Sequence, residues 1–430
     1  MGEAGRTKGE GASGWWRATA FVVACGCVIS LVSYGLRTSF GLFAEPISEG
    51  NDWSLEVFAL AIAIQNIVWG VAQPFAGAIA DRYGSARILA GGGVLYVAGV
   101  ALMAMSDTPL AFNLTAGVLV GLGLAGGSFT IVIAALGRLV PEEKRSWAMG
   151  LATAAGSLGQ FAFAPLGQAF LSSYGWQTAL LLLAGFAVAV PLLAGALRGG
   201  GGYGTSGEEP ALPAREALRG AFGHGSYLLL VAGFFVCGFH IAFITTHLPA
   251  HLSAAAAQSH AGHGAMHVGP GLAAWALAII GLANVVGSYG AGVLGGRHSK
   301  RLLLSWIYLA RGAAIAVFVT LPPTPVVVLS FAVAMGVLWL STVPLTSGLV
   351  AVMFGTRYLG TLFGFVFFSH QVGAFLGVWL GGVAYEQTGG FLPVWWAGVA
   401  LAIIAAGLHW PIAERRAPKF SIVRESGVAS

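Results

Sequence analysis

Two arginines, Arg37 and Arg311, stand inside otherwise apolar runs. A guanidinium there is costly unless it faces the interior of a helix bundle or a watery cavity. In such a cavity its planar fork suits a carboxylate. Around Arg37, the residues Ser30, Tyr34, Thr38 and Gly41 recur at helical spacing and share one face with it. That polar stripe is a candidate anion site. The opposing reading of Arg37 is a structural pair with Glu45 or Asp52, or snorkelling to the interface. Arg311 reads mainly as structural, bonded to carbonyls or to a polar group such as Asn284.

His240 and His247 lie one heptad apart on one helical face, and His370 precedes Gln371. A neutral imidazole can satisfy itself by hydrogen bonding inside a bundle. The sharper alternative is proton coupling, with His240 and His370 as carriers. Trp339, Ser341, Thr342, Pro344 and Thr346 suggest a kinked or broken segment that offers hydroxyls to a solute path. Those hydroxyls can equally bond their own backbone. Gln65, Asn66, Gln160 and Asn284 read as glue between helices. Further on, His251, His260, His263 and His267 crowd a stretch of Ala and Gly. Three of them could share a helical face as metal ligands, but no Cys or acid joins them. No resident metal and no cofactor are expected. Glu45, Asp52, Glu56, Asp107 and Glu386 all sit near segment ends. A coupled proton would therefore ride on a His, a rim acid or the substrate.

The elements that carry these residues follow from composition. The 430 residues are 57% hydrophobic and 9% charged, with a mean hydropathy of +0.81. Apolar runs long enough to cross a bilayer recur along the chain. We read about twelve spans, numbered one to twelve: 18–44, 55–80, 88–106, 109–137, 146–171, 176–197, 227–250, 272–294, 302–321, 325–353, 360–384 and 391–411. The first run is too long for a signal-peptide core and no A-x-A site closes it, so it reads as a retained helix. With both termini placed in the cytoplasm, every one of the 21 Lys and Arg except Arg37 and Arg311 falls on the cytoplasmic side. That alternation requires an even number of spans. Scattered charges of this kind do not suggest nucleic acid. Cys25, Cys27 and Cys237 all lie in apolar runs and read as small buried hydrophobes.

Residues 198–226 are rich in Gly, Pro and charge and read as a cytoplasmic linker. The expected organisation is a tail at 1–17, a six-helix bundle at 18–197, the linker, a second bundle at 227–411 and a tail at 412–430. The halves resemble one another at an offset of about 214 residues, as parallel repeats around a central path would. Gly77 pairs with Gly292, Gly150 with Gly364, Gly159 with Gly373, Gly167 with Gly381 and Gly175 with Gly389.

Gly77, Asp81, Arg82, Gly84 and Arg87 spell the G-x-x-x-D-R-x-G-x-x-[RK] pattern, with a weaker second copy around Arg297. On these residues, the repeat and the topology, the chain resembles the major facilitator superfamily. That resemblance implies an all-α membrane protein of two pseudo-symmetric six-helix bundles. It also implies that spans one, four, seven and ten line a cavity, and that the Asp81–Arg82 loop latches helices in one conformation. The stretch from Tyr34 to Phe43 is similar to the first helix of bacterial transporters near the monocarboxylate porters and oxalate–formate antiporters. Monocarboxylate porters usually carry an Arg on helix eight, where this chain has Asn284 and Ser288. The oxalate branch carries a Lys on helix eleven, where this chain has His370 and Gln371.

The expectation is a monomeric secondary transporter in the inner membrane. It would move a small organic anion of monocarboxylate type by alternating access, with a proton or a counter-anion. The expected substrate contacts are Tyr34, Arg37, Thr38, His240, Trp339, Ser341 and Thr342. One alternative is a multidrug or neutral-solute exporter of the same fold. Another is a metal sensor built on the His-rich loop. An enzyme is not expected: there is no H-E-x-x-H and no nucleotide-binding G-x-x-x-x-G-K-[ST] loop.

Overall fold

A computed structural model describes residues 10–140, 142–198, 214–260, 270–355 and 359–418. The side chains of Asp81 and Arg82 in the loop motif and of His260, and residues His263 and His267, lie outside the described residues. So do the linker from 199 to 213 and the distal parts of both tails.

The described residues form helices and no strands. Only a helix or a closed barrel satisfies its backbone within lipid, and runs this long and apolar take the first solution. Among the described residues, eleven helical stretches are long and apolar enough to cross a membrane. Span one is Thr19–Asn51, two Leu55–Ala80, three Ser85–Met103 and four Pro109–Leu136. The 50-residue stretch Ala148–Leu197 holds spans five and six, because it turns at Gly175 with φ 75° and ψ 169°. Span seven is Gly225–Ala255, eight Gly271–Arg297 and nine Lys300–Thr320. Span ten is Pro325–Phe354, eleven Thr361–Thr388 and twelve Leu392–His409. Gly389, the repeat partner of Gly175, also has a left-handed φ of 71°. The same turn thus recurs at the same place in each half.

Glycine sets the closest approaches inside each bundle. A Cβ on Gly159 in span five would stand 2.0 Å from the Leu31 carbonyl oxygen in span one. A Cβ on its repeat partner Gly373 in span eleven would stand 2.0 Å from the Phe235 carbonyl oxygen in span seven. Small residues let backbones meet where lipid offers no hydrophobic drive.

The two bundles touch along spans two and eleven and along spans five and eight. At mid-depth, Gln160 Nε2 donates to the Leu277 carbonyl at 3.0 Å. At the end away from the termini, a Cβ on Gly41 would meet the Thr245 carbonyl oxygen at 2.1 Å. There Gly382 also abuts Ala59 and the backbone of Glu56. The bundles are therefore closed at that end.

After span twelve, the segment from Trp410 to Pro418 folds back across the second bundle. Ala413 N–H donates to Ser226 Oγ and Ala417 N–H to the Met353 carbonyl. Glu414 caps span nine in place of Ser299, which makes no side-chain cap. Glu414 Oε1 accepts from Ser299 Oγ at 2.5 Å and from Arg301 N–H at 2.7 Å. Burial by itself would raise the Glu414 carboxyl. The Ser299 hydroxyl, the Arg301 and Lys300 N–H groups and the Lys300 charge outweigh it and hold the group below the ordinary carboxylate value. A depressed folded value stabilises the protein above the ordinary Glu pKa, and the gain is lost as pH falls through the folded value. Glu414→Gln should therefore lower thermal stability at neutral pH by about 1 kcal/mol. Thermal unfolding in detergent across pH checks this, and the gap between variant and wild type should close in acid.

Candidate substrate-binding site

Arg37 lies on span one just before the helix tightens into a short 3-10 turn at Phe40–Phe43. Its guanidinium donates to Asn66 Oδ1 on span two. It also lies over the Trp69 ring, 4.9 Å from the centroid. Asn66 and Trp69 are three residues apart on a helix and so share a face. Asn66 is itself held by donating to the Ile62 carbonyl at 2.8 Å. Neither Glu45 nor Asp52 is the polar partner of Arg37 in the described structure. The partner is a neutral amide, so the positive charge is not cancelled. Arg37 Nε is buried and without a hydrogen-bond partner.

Span eleven closes over this group. Trp69 meets Phe367 edge-on at 5.4 Å, and Phe367 stacks on His370 at 5.5 Å. Gly70 lets the Gln371 side chain lie directly against span two. His370 Nδ1–H donates to Gln371 Oε1 at 3.2 Å, while Gln371 Nε2 has no partner. Two buried donors, Arg37 Nε and Gln371 Nε2, are thus left over at one junction of the two bundles. Both are N–H donors, so an oxygen acceptor placed there would satisfy them.

Tyr34, one turn before Arg37, is buried and neighbours Arg37, Trp339 and Cys237. It therefore spans from the first bundle to spans seven and ten. Cys237 Sγ lies 3.2 Å from Thr342 Oγ1, with Arg311 and His370 beside it.

Span ten is broken, as its composition suggested. Its first half ends at Leu338 and its second begins at Thr342. The exposed backbone groups of the break are met by two side chains. Arg311, fully buried, forks onto the Leu338 carbonyl with Nε at 3.1 Å and Nη2 at 2.6 Å, and Nη2 also reaches the Trp339 carbonyl. Asn284 Oδ1 accepts the Leu340 N–H at 3.0 Å. Asn284 Nδ2 donates to Ser157 Oγ of span five at 3.0 Å, so this residue also links the bundles.

Other expected contacts lie elsewhere or are self-satisfied. Thr38 Oγ1 donates to the Gly35 carbonyl within span one, and Ser341 Oγ, in the break of span ten, donates back to the Val337 carbonyl. His240 faces span twelve, donating from Nε2 to the Gly398 carbonyl at 2.9 Å. His247 faces span eleven, donating to the Val378 carbonyl at 2.7 Å. The structure thus brings Tyr34, Arg37, Trp339 and Thr342 to the central junction with His370 and sets His240 apart. Sequence reasoning passed over Trp69 and Cys237 as site residues. The spacing of Asn66 and Trp69 was a usable signal for the first. In the loop motif, Arg87 and Arg297 are exposed and Gly77 has nothing within 4 Å of a built Cβ. Among the described residues no group of three His, Cys, Asp or Glu is arranged to hold a metal.

The helical fold agrees with what the chain is similar to. Rat monocarboxylate transporter 13 is 28% identical over 384 residues, covering 87% of this chain and 82% of that protein. An uncharacterized MFS-type transporter of Bacillus subtilis, YcxA, is 24% identical over 85% of this chain and 88% of that protein. Human monocarboxylate transporter 11 is 33% identical over 180 residues, which is 40% of this chain and 36% of that protein. Among solved structures, a bacterial homolog of the human lysosomal transporter Spinster superposes with a TM-score of 0.72 at 15% identity. It is inward-facing and unoccupied, and the match covers 94% of this chain and 98% of that one. The family model described as Major Facilitator Superfamily matches residues 21–269. The chain is a member of the major facilitator superfamily, a family of transporters and not of enzymes.

Proposed function

We propose that this protein is a secondary active transporter that carries a small organic anion of monocarboxylate type through the junction around Arg37. The observation that carries this reading is the Arg37 guanidinium, held between Asn66 and Trp69 with no carboxylate partner among the described residues. A cation in that setting is stabilised by an anionic ligand, and the fork offers two parallel bonds to a carboxylate. The similarity to monocarboxylate transporters supports the same class. Tyr34, Asn66, Trp339 and Gln371 are the polar groups that would orient the substrate. The cytoplasmic position of both termini rests on the distribution of Lys and Arg. The working cycle is alternating access between the bundle at 18–197 and the bundle at 227–411. A co-transported proton or a counter-anion supplies the driving force. His370 is the histidine placed to take part, since it alone of the two expected carriers adjoins the junction.

Counterflow in proteoliposomes tests the substrate class. Liposomes loaded with unlabelled monocarboxylates should accumulate labelled carboxylate only when they contain the protein. Failure of every carboxylate, with organic cations accumulated instead, would replace this reading with a multidrug exporter. Deletion of residues 254–268 should spare counterflow. Its loss would return attention to the His-rich loop.

A further inference from the structure

Span two is capped by the wrong bundle. Its N-cap residue Ser54 has the extended φ of −65° and ψ of 151° typical of a cap, yet its side chain makes no capping bond. Instead the Leu55 N–H donates to Glu386 Oε1 at 2.8 Å, from the last turns of span eleven. One turn earlier on that span, Gly382 seats against Ala59 and Glu56. The carboxylate is therefore part of the closure at the end away from the termini, and it lies at an exposed position.

The bond joins the two bundles, so it exists only while that end is shut. Alternating access requires the end to open. When Glu386 withdraws, Ser54 is already in cap geometry and can take the freed first-turn N–H groups. The same helix end thus has one cap for each state. An ionised carboxylate is the stronger partner, because the N-terminal helix charge favours an anion. Other charged groups near this end are Glu56 in the first turn of span two, Asp52 just before it, and Glu45 and Glu49. The Tyr385 ring neighbours Glu45, Glu49 and Glu386. Glu45 lies near Ser253 of span seven, and His251 there packs among Phe318, Phe391 and Trp395. The loops on this side have no Lys or Arg, so no basic side chain from them competes for Glu386. Repulsion among the acids is screened beyond about 8 Å, whereas the cap is a direct contact.

We infer that Glu386 is a latch: its contact with the first turn of span two holds the end opposite the termini closed. This rests on the transporter reading above. Glu386 is a positioning residue in this scheme and does not touch the substrate.

The test is a distance measurement between spin labels on the full-length protein in nanodiscs. Labels go on Leu110→Cys and Leu392→Cys, in a Cys25→Ser, Cys27→Ser, Cys237→Ser background. The parent at neutral pH should show mainly the short-distance, closed population. Glu386→Gln should enlarge the long-distance population about fivefold over the parent. Glu386→Asp, which keeps a carboxylate, should return it toward the parent. Ser54→Ala, which removes the other cap, should shift the population the opposite way, toward closure. A Glu386→Gln protein matching the parent at neutral pH overturns the latch. Opposite signs for Glu386→Gln and Ser54→Ala are not produced by general destabilisation. The measurement needs no substrate. A working latch in a protein that moves no carboxylate would thus count against the proposed substrate only, and counterflow without a latch against this inference only.

Discussion

Arg37→Ala should abolish carboxylate counterflow while leaving the protein folded. The expected loss in kcat/KM is about 100-fold, corresponding to roughly 3 kcal/mol for a truncated charged contact. Stability should stay near wild type or rise, since the change removes a half-buried cation whose partners are an amide and an indole ring. Asn66 keeps its bond to the Ile62 carbonyl, so little is orphaned by the substitution. Arg37→Lys should recover only part of the activity. An ammonium keeps the charge but cannot hold Asn66, cover Trp69 and fork onto a carboxylate together. Initial rates of counterflow, alongside thermal unfolding of both variants, separate binding from folding. Unchanged affinity in both variants would remove Arg37 from the site.

Arg311→Ala should do the reverse and damage the fold first. The guanidinium serves the Leu338 and Trp339 carbonyls at the break of span ten, and no other hydrogen bond to either carbonyl is seen among the described residues. Deep in the bundle those oxygens have no water to turn to. Two orphaned acceptors and the emptied volume together cost about 3–5 kcal/mol. A loss of that size should show as poor yield and a marked fall in melting temperature. Arg311→Lys should rescue only partly, because an ammonium cannot reproduce the planar fork. A stable Arg311→Ala protein that has lost substrate affinity alone would make Arg311 a substrate ligand instead. The paired result, with one arginine essential to transport and the other to stability, is a sharper test than either alone.

Several features are legible in the chain alone because each is a property of one continuous stretch. A run of apolar residues either matches the thickness of a bilayer or does not, so the spans can be counted directly. The turn at Gly175 and its repeat at Gly389 show as matching positions in the two halves. The break near Trp339 shows as hydroxyls and Pro344 in an apolar run. The mismatched charge of Arg37 and Arg311 is equally visible, because a cation in lipid has to be explained.

Partners are another matter. Glu45 and Asp52 are the acids near Arg37 in sequence, yet it meets Asn66 and Trp69 on the next helix. His240 reads as a cavity residue and bonds the backbone of span twelve. Cys237 reads as a small buried hydrophobe and stands between Thr342, His370 and Arg311. Glu386 reads as a rim acid and caps a helix of the other bundle. In water an amphipathic stripe marks the face of a helix that will be buried. In lipid both faces are apolar, so that signal is weak and close packing chooses the face. The sequence by itself determined that this chain crosses the membrane in two repeated sets of helices and carries two unexplained cations. Only the tertiary structure decided which neighbour each polar group meets, because helix rotation is set by glycine contacts between spans that lie far apart in the chain.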